Sequence, residues 1–226
     1  MAYRRTERVL QRLAARHDAI VAAAQAVAAE SGMGAVQIVP VAVRAGIAAG
    51  TVYRYFPAKS DLVAALMTAV CEREVAAMRR AADAAPGPLS ALAAALTTFA
   101  ARIHGGRRLA WAVLAEPVEG DVEVVRLSCR RTLAGEVEKR IRAAIEARHL
   151  PEVDAGPAAV ALTGALIEGL IGPLAPDTAD DTAKARGAVQ TLTLLSLRAL
   201  GVVDARARGL VVQTALPMAD EIARAG

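Results

Sequence analysis

Aromatic side chains are nearly absent: one Trp, three Tyr and two Phe in 226 residues. A core built without them relies on small and aliphatic side chains, which suit close helix–helix contact better than a pleated sheet. Cysteine is equally scarce. Cys71 and Cys129 form no C-x-x-C pair, which argues against a zinc ribbon or a disulfide framework and leaves buried free thiols as the expectation. The three histidines, His17, His104 and His149, stand at neither metal-ligand nor triad spacing. There is no phosphate-cradling glycine loop and no nucleophile elbow, so the chain is expected to be no enzyme and to need no metal or cofactor. The arginine-rich first ten residues lack the continuous apolar stretch of a secretory signal, and a cytoplasmic protein is expected. Residues 158–175 are nearly all apolar and close to membrane-spanning length, but Glu168 in their middle and the flanking Asp154 and Asp177 disfavour insertion. Lysine occurs only at 59, 139 and 184 beside abundant Arg and Ala, a composition typical of GC-rich bacterial genomes.

What is present is a chain 55% hydrophobic, enough to bury a substantial core. Apolar positions recur at three- and four-residue spacing and no alternating strand pattern stands out, so the fold class is all-α. Between residues 17 and 30, Ile20, Ala23, Ala24 and Val27 form one stripe, closed by Ser31, Gly32 and Gly34. A second helix is expected over 38–45, a short third over 48–55 and a fourth from Leu62 through Arg80. Residues 83–88, with two prolines and a glycine, mark the best boundary. Beyond it, helical periodicity runs over 89–103, 109–114, 122–147, 158–171 and 183–200, with a weaker final helix over 210–224. The charge is uneven: residues 1–80 carry 11 Lys or Arg against 6 Asp or Glu, while the rest is close to neutral. A basic N-terminal region on a neutral body is the footprint of a phosphate-binding module, or of a solvated tail.

The stretch Val41-Ala42-Val43-Arg44-Ala45-Gly46-Ile47-Ala48-Ala49-Gly50-Thr51-Val52-Tyr53-Arg54-Tyr55-Phe56-Pro57-Ala58-Lys59-Ser60-Asp61-Leu62 reads physically as helix, glycine turn, short helix. Ala42 and Ala45 allow two helices to cross closely, Gly46 permits the turn, and Ile47 plugs the space between them. Phe56 reads as core. This stretch resembles the DNA-binding signature of the TetR (tetracycline repressor) family, and the resemblance covers roughly residues 14–74. It implies an N-terminal three-helix helix-turn-helix domain (14–80) behind a basic arm (1–13), followed by a C-terminal helical domain for effector binding and dimerisation (81–226). The implied DNA-binding residues are Gln37, Ala48, Ala49, Gly50, Thr51, Tyr53, Arg54, Tyr55 and Lys59. The implied partners are a double-stranded DNA operator and a second copy, paired through 158–171 and 183–200. An unidentified small-molecule effector completes them, and the implied role is a repressor released from a palindromic operator.

Candidate ligand contacts in the body are the polar or aromatic groups standing in apolar stretches: His104, Trp111, Glu116, Arg126, Cys129 and Glu168. For each, ordinary packing or surface exposure is the alternative. The positions that should cap the short helices hold Gln37, Ala48 and Ala58, which predicts three missing side-chain caps, each worth about 0.5–2 kcal/mol. Val39 stands where the family often has a polar group. These departures keep open a head that serves as an interaction module instead, with a helical enzyme as the remaining alternative. Arg4, Arg5, Arg8, Arg12 and Arg16 are expected as a flexible basic arm that follows DNA, or as a solvated tail.

Overall fold

The computed structural model describes residues 2–178 and 181–213, with side chains from residue 7 onward. Among these residues it is all-α, with no strand. The first four helices are α1 (Ala2–Ser31), α2 (Ile38–Arg44), α3 (Ala49–Tyr55) and α4 (Lys59–Asp83), with a 3-10 turn at Met33–Ala35 between α1 and α2. The body follows as α5 (Pro88–Gly105), α6 (Arg107–Leu114), α7 (Gly120–Glu146), α8 (Ala155–Ile171), α9 (Thr182–Ala199) and α10 (Asp204–Gln213). The helix expected over 210–224 thus begins earlier, and its part beyond residue 213 lies outside the described residues.

The head is held by a small apolar core in which Ile20 and Ala24 of α1, Val41 of α2, Val52 of α3 and Leu62 and Leu66 of α4 are fully buried. Neither α2 nor α3, at seven residues each, is long enough to be stable alone, so this shared core keeps them helical. Gly46, at φ 64°, ends α2 in a Schellman motif: the Ile47 N–H donates to the Ala42 carbonyl and the Gly46 N–H to that of Val43. Any side chain there would be strained, and the turn sets the angle at which α3 leaves. His17 of α1 packs its ring against Phe56, centroids 5.0 Å apart, and Phe56 is buried as expected.

α1 corrects one expectation. It starts at Ala2, so the segment read as a flexible arm is helical and continuous with the head. Arg8, Arg12 and Arg16 recur every four residues on its exposed first half, forming a basic stripe. The side chains of Arg4 and Arg5 lie outside the described residues.

In the body, α5 is buried at nearly every position from Leu89 to Ile103, the mark of a helix surrounded by others. It packs against α4, α7, α8 and α9. Among the described residues, no helix is long and apolar enough to cross a membrane.

Candidate functional site

α3 presents Ala48, Gly50, Tyr53 and Arg54 to solvent, with Gln37 exposed at the start of α2. Thr51 is half-buried beside them. Gly50 has open space where a side chain would stand, so backbone can approach a partner there. Ala49 and Tyr55 face inward instead and pack against the core. The face is short of polar groups: Val39 and Val43, one turn apart on α2, are 61% and 75% exposed beside it.

The three caps are missing. None of Gln37, Ala48 and Ala58 makes a side-chain cap hydrogen bond. The Gln37 amide donates instead to the Gly34 carbonyl at 3.1 Å. At α4 half of a capping box survives: the Asp61 carboxylate accepts from the Ala58 N–H at 2.9 Å, while the Ala58 methyl offers nothing in return. At the other end of α2, Arg44 grips Glu30 of α1 through two hydrogen bonds of 2.5 Å. Those bonds hold the Glu30 carboxyl below the usual carboxylate range.

The loop between α6 and α7 docks on the head. Glu116 accepts from the backbone N–H groups of Met33 (2.9 Å) and Gly34 (3.3 Å), while Glu119 pairs with Lys59 at 3.6 Å. Gly32, at φ 83°, makes room for this contact, since a Cβ there would lie 3.1 Å from a Glu116 carboxylate oxygen. Glu116 thus spans head and body, and Lys59 meets a carboxylate of the body.

Between α1, α4, α5, α6 and α7 lies a cavity of about 610 Å³. Ala22, Ala26 and Ala29 of α1, Val70 of α4, and Ile103, Leu109, Val113 and Leu133 of the body supply its apolar wall. Its polar part is a cluster missed by the sequence reading. The Arg102 guanidinium donates to both oxygens of Glu74, at 2.6 and 2.9 Å, with both residues under a tenth exposed. Arg73 reaches the same carboxylate at 3.4 Å and the Gln25 side chain at 3.2 Å. A signal existed in the sequence, because Arg102 is the lone charged residue within the apolar run 89–103 and Glu74 falls on the stripe of Val70, Cys71 and Met78.

Of the six candidate ligand contacts, the cavity wall includes Cys129, together with Cys71, whose thiol donates to the Cys129 carbonyl at 3.5 Å. The neighbouring Cys71 thiol and burial push the Cys129 thiol above its ordinary range. The other five lie elsewhere. His104 shares a 3.0 Å hydrogen bond with Thr178, and Trp111 is half-buried against the core. Arg126 pairs with Glu123 of its own helix and donates to the Leu114 carbonyl, Glu116 is the contact to the head, and Glu168 is exposed on α8. Among the described residues, no group of His, Cys, Asp and Glu is placed to hold a metal ion.

With this geometry in view, comparison with known proteins adds the family. Residues 20–66 match the family of bacterial regulatory proteins known as tetR. The head thus carries the DNA-binding domain of the TetR family. The chain is therefore a DNA-binding transcriptional regulator, a class of proteins that generally work without catalysis. No curated protein matches the chain in sequence. Solved structures match it in fold over most of its length. FadR, a fatty acid degradation regulator from Bacillus halodurans, is 21% identical with a TM-score of 0.70, over 83% of this chain and 97% of that one. RolR in complex with resorcinol is 23% identical with a TM-score of 0.64, over 92% and 98%. FadR from Bacillus subtilis in complex with stearoyl-CoA is 18% identical with a TM-score of 0.67, over 79% and 96%.

Proposed function

We propose that the protein is a cytoplasmic, homodimeric repressor whose grip on a palindromic operator is released by a small molecule bound in the 610 Å³ cavity. The observation that carries this reading is the composition of the cavity wall. α1 and α4, two helices of the head, form one side of it, and α5, α6 and α7 of the body form the other. A ligand filling it touches both units at once, so its binding energy can favour one placement of the head over another. Glu116 adds a second link, because any shift of the α6–α7 loop pulls on the backbone just before α2. In this reading residues 14–80 act as the DNA-binding unit and 81–226 as the sensing and pairing unit. Gln37, Ala48, Gly50, Thr51, Tyr53 and Arg54 meet DNA, while Ala49, Tyr55 and Lys59 support that face.

Pairing of two copies through 158–171 and 183–200 is supported by what those helices leave uncovered. Val160 on α8 is 64% exposed and Leu195 on α9 is 54% exposed, with Ala161 and Ala165 also exposed on α8. Two-fold pairing would set two copies of α3 for half-sites about 34–36 Å apart.

One observation favours a second reading, an interaction module with a degenerate head. The docking face combines Val39 and Val43 with three uncapped helices. Selection from a pool of random-sequence DNA duplexes by the full-length protein separates the two. Enrichment of a two-fold symmetric sequence supports the repressor. Absence of any enriched duplex would overturn it in favour of the module.

A further inference from the structure

The cavity's polar cluster contains two guanidiniums on one carboxylate. Glu74 is the one carboxylate among the described residues lining the cavity, and it is shared by Arg102 and Arg73. Arg107 and Arg108 also border the cavity, but the Arg107 guanidinium donates to the Pro176 and Ala175 carbonyls and Arg108 is exposed, so neither neutralises nor crowds the cluster. Gln25, the remaining partner of Arg73, is neutral. The cluster therefore carries a surplus positive charge: the Glu74–Arg102 pair is buried and neutral, and the Arg73 guanidinium beside it, in a cavity that opens to water, is about a quarter exposed. Everything else facing the space is dominated by Ala, Val, Leu and Ile side chains. The volume is in the range that holds a small organic molecule, roughly 300–1,000 Å³.

We infer that the cavity binds a small organic anion, an apolar body bearing one carboxylate or comparable acidic group, with the acid seated against Arg73 and Arg102. Such a ligand neutralises the surplus charge and gains charge-assisted hydrogen bonds, while its apolar part covers the aliphatic wall. A neutral molecule of the same shape gains only the second contribution, and a cation adds to the repulsion. Arg73 belongs to α4, the helix that follows α3 in the chain, so the acid's contact falls directly on the head's last helix. The inference rests on reading this cavity as the effector site and names the chemistry it selects.

The test is calorimetric titration of the full-length protein with four probes of ten carbons each: decanoate, 4-phenylbutyrate, decanol and decylamine. At least one acid is expected to bind roughly tenfold or more tightly than decanol, with decylamine the weakest. Whichever acid binds better distinguishes a chain-like from an aromatic body. Two variants move the preference in opposite directions, which a purely structural role would not do. Arg73→Gln removes the cluster's surplus and should lower the acid-to-alcohol ratio severalfold. Glu74→Gln enlarges the surplus and should raise the ratio, read at a temperature where circular dichroism shows the variant folded. Equal binding of acid and alcohol, a preference for the amine, or no binding of any probe would overturn the inference. Adding the better acid to the protein–DNA complex separates the two layers. Selective binding without any effect on DNA would sink the effector reading while leaving the anion site standing.

Discussion

Head and body place the same residue type in opposite circumstances. Arg54 on α3 stands in water with its guanidinium available, whereas Arg102 on α5 is under a tenth exposed and fixed by two hydrogen bonds to Glu74. An exposed arginine costs the fold little and is free to meet phosphate, but its attraction is screened by salt. A buried one holds its position only while its partner does, and changes in its surroundings register strongly. The head thus presents its charge outward, while the body holds its own in a fixed, buried pair. Glu116 joins the two with a carboxylate of the body on backbone N–H groups of the head.

The largest effect is expected where this comparison is broken from the buried side. Arg102→Met leaves the buried Glu74 carboxylate with only its longer contact to Arg73, and urea unfolding should show a loss of about 3–5 kcal/mol. Replacing both partners, Arg102→Met with Glu74→Met, should recover most of that loss, because no unpaired charge remains. From the exposed side, Arg54→Ala should leave unfolding within about 0.5 kcal/mol of the native protein. Fluorescence anisotropy on the selected duplex should nevertheless show its affinity fall by about 1–3 kcal/mol. At the junction, Glu116→Ala removes two hydrogen bonds to the 3-10 turn and should destabilise by about 1–3 kcal/mol. Hydrogen exchange should rise at Met33 and Gly34, and unchanged exchange would remove the contact from the account. The smallest effect sharpens the comparison within the head: Ala58→Ser supplies the missing half of the capping box with Asp61. Thermal unfolding should report a gain of about 0.5–1 kcal/mol.

The head was legible in the sequence because its determinants are local. Gly46, the small residues Ala42 and Ala45, and the plug Ile47 lie within six residues of one another, and each has a conformational or packing reason to be where it is. The same local reasoning located the absent caps at Gln37, Ala48 and Ala58, which the hydrogen bonds bear out. Helix ends in the body were also close to their periodicity: the stretch expected over 89–103 is α5, Pro88–Gly105. The start of the chain misled, because an arginine-rich segment reads as an arm although nothing in residues 2–13 prevents α1 from extending through them. The cavity was hidden for a different reason. Its polar cluster takes Gln25, Arg73, Glu74 and Arg102 from three helices, and pairing across 28 residues between Glu74 and Arg102 leaves no spacing to read. Glu116 was noticed as a polar group out of place, but its partners are backbone groups 82 and 83 residues away, which no side-chain pattern announces.

Whether the head binds DNA through its exposed face, with charge supplied by Arg54 and the stripe of Arg8, Arg12 and Arg16, is measured most directly by the salt dependence of affinity for the selected duplex. A linear fall of log affinity with log salt is expected, with a slope of roughly −0.9 for each phosphate neutralised. Arg54→Ala should make that slope shallower by about one unit per contact removed. Undetectable binding at low salt, or an affinity indifferent to salt, would contradict binding through that face.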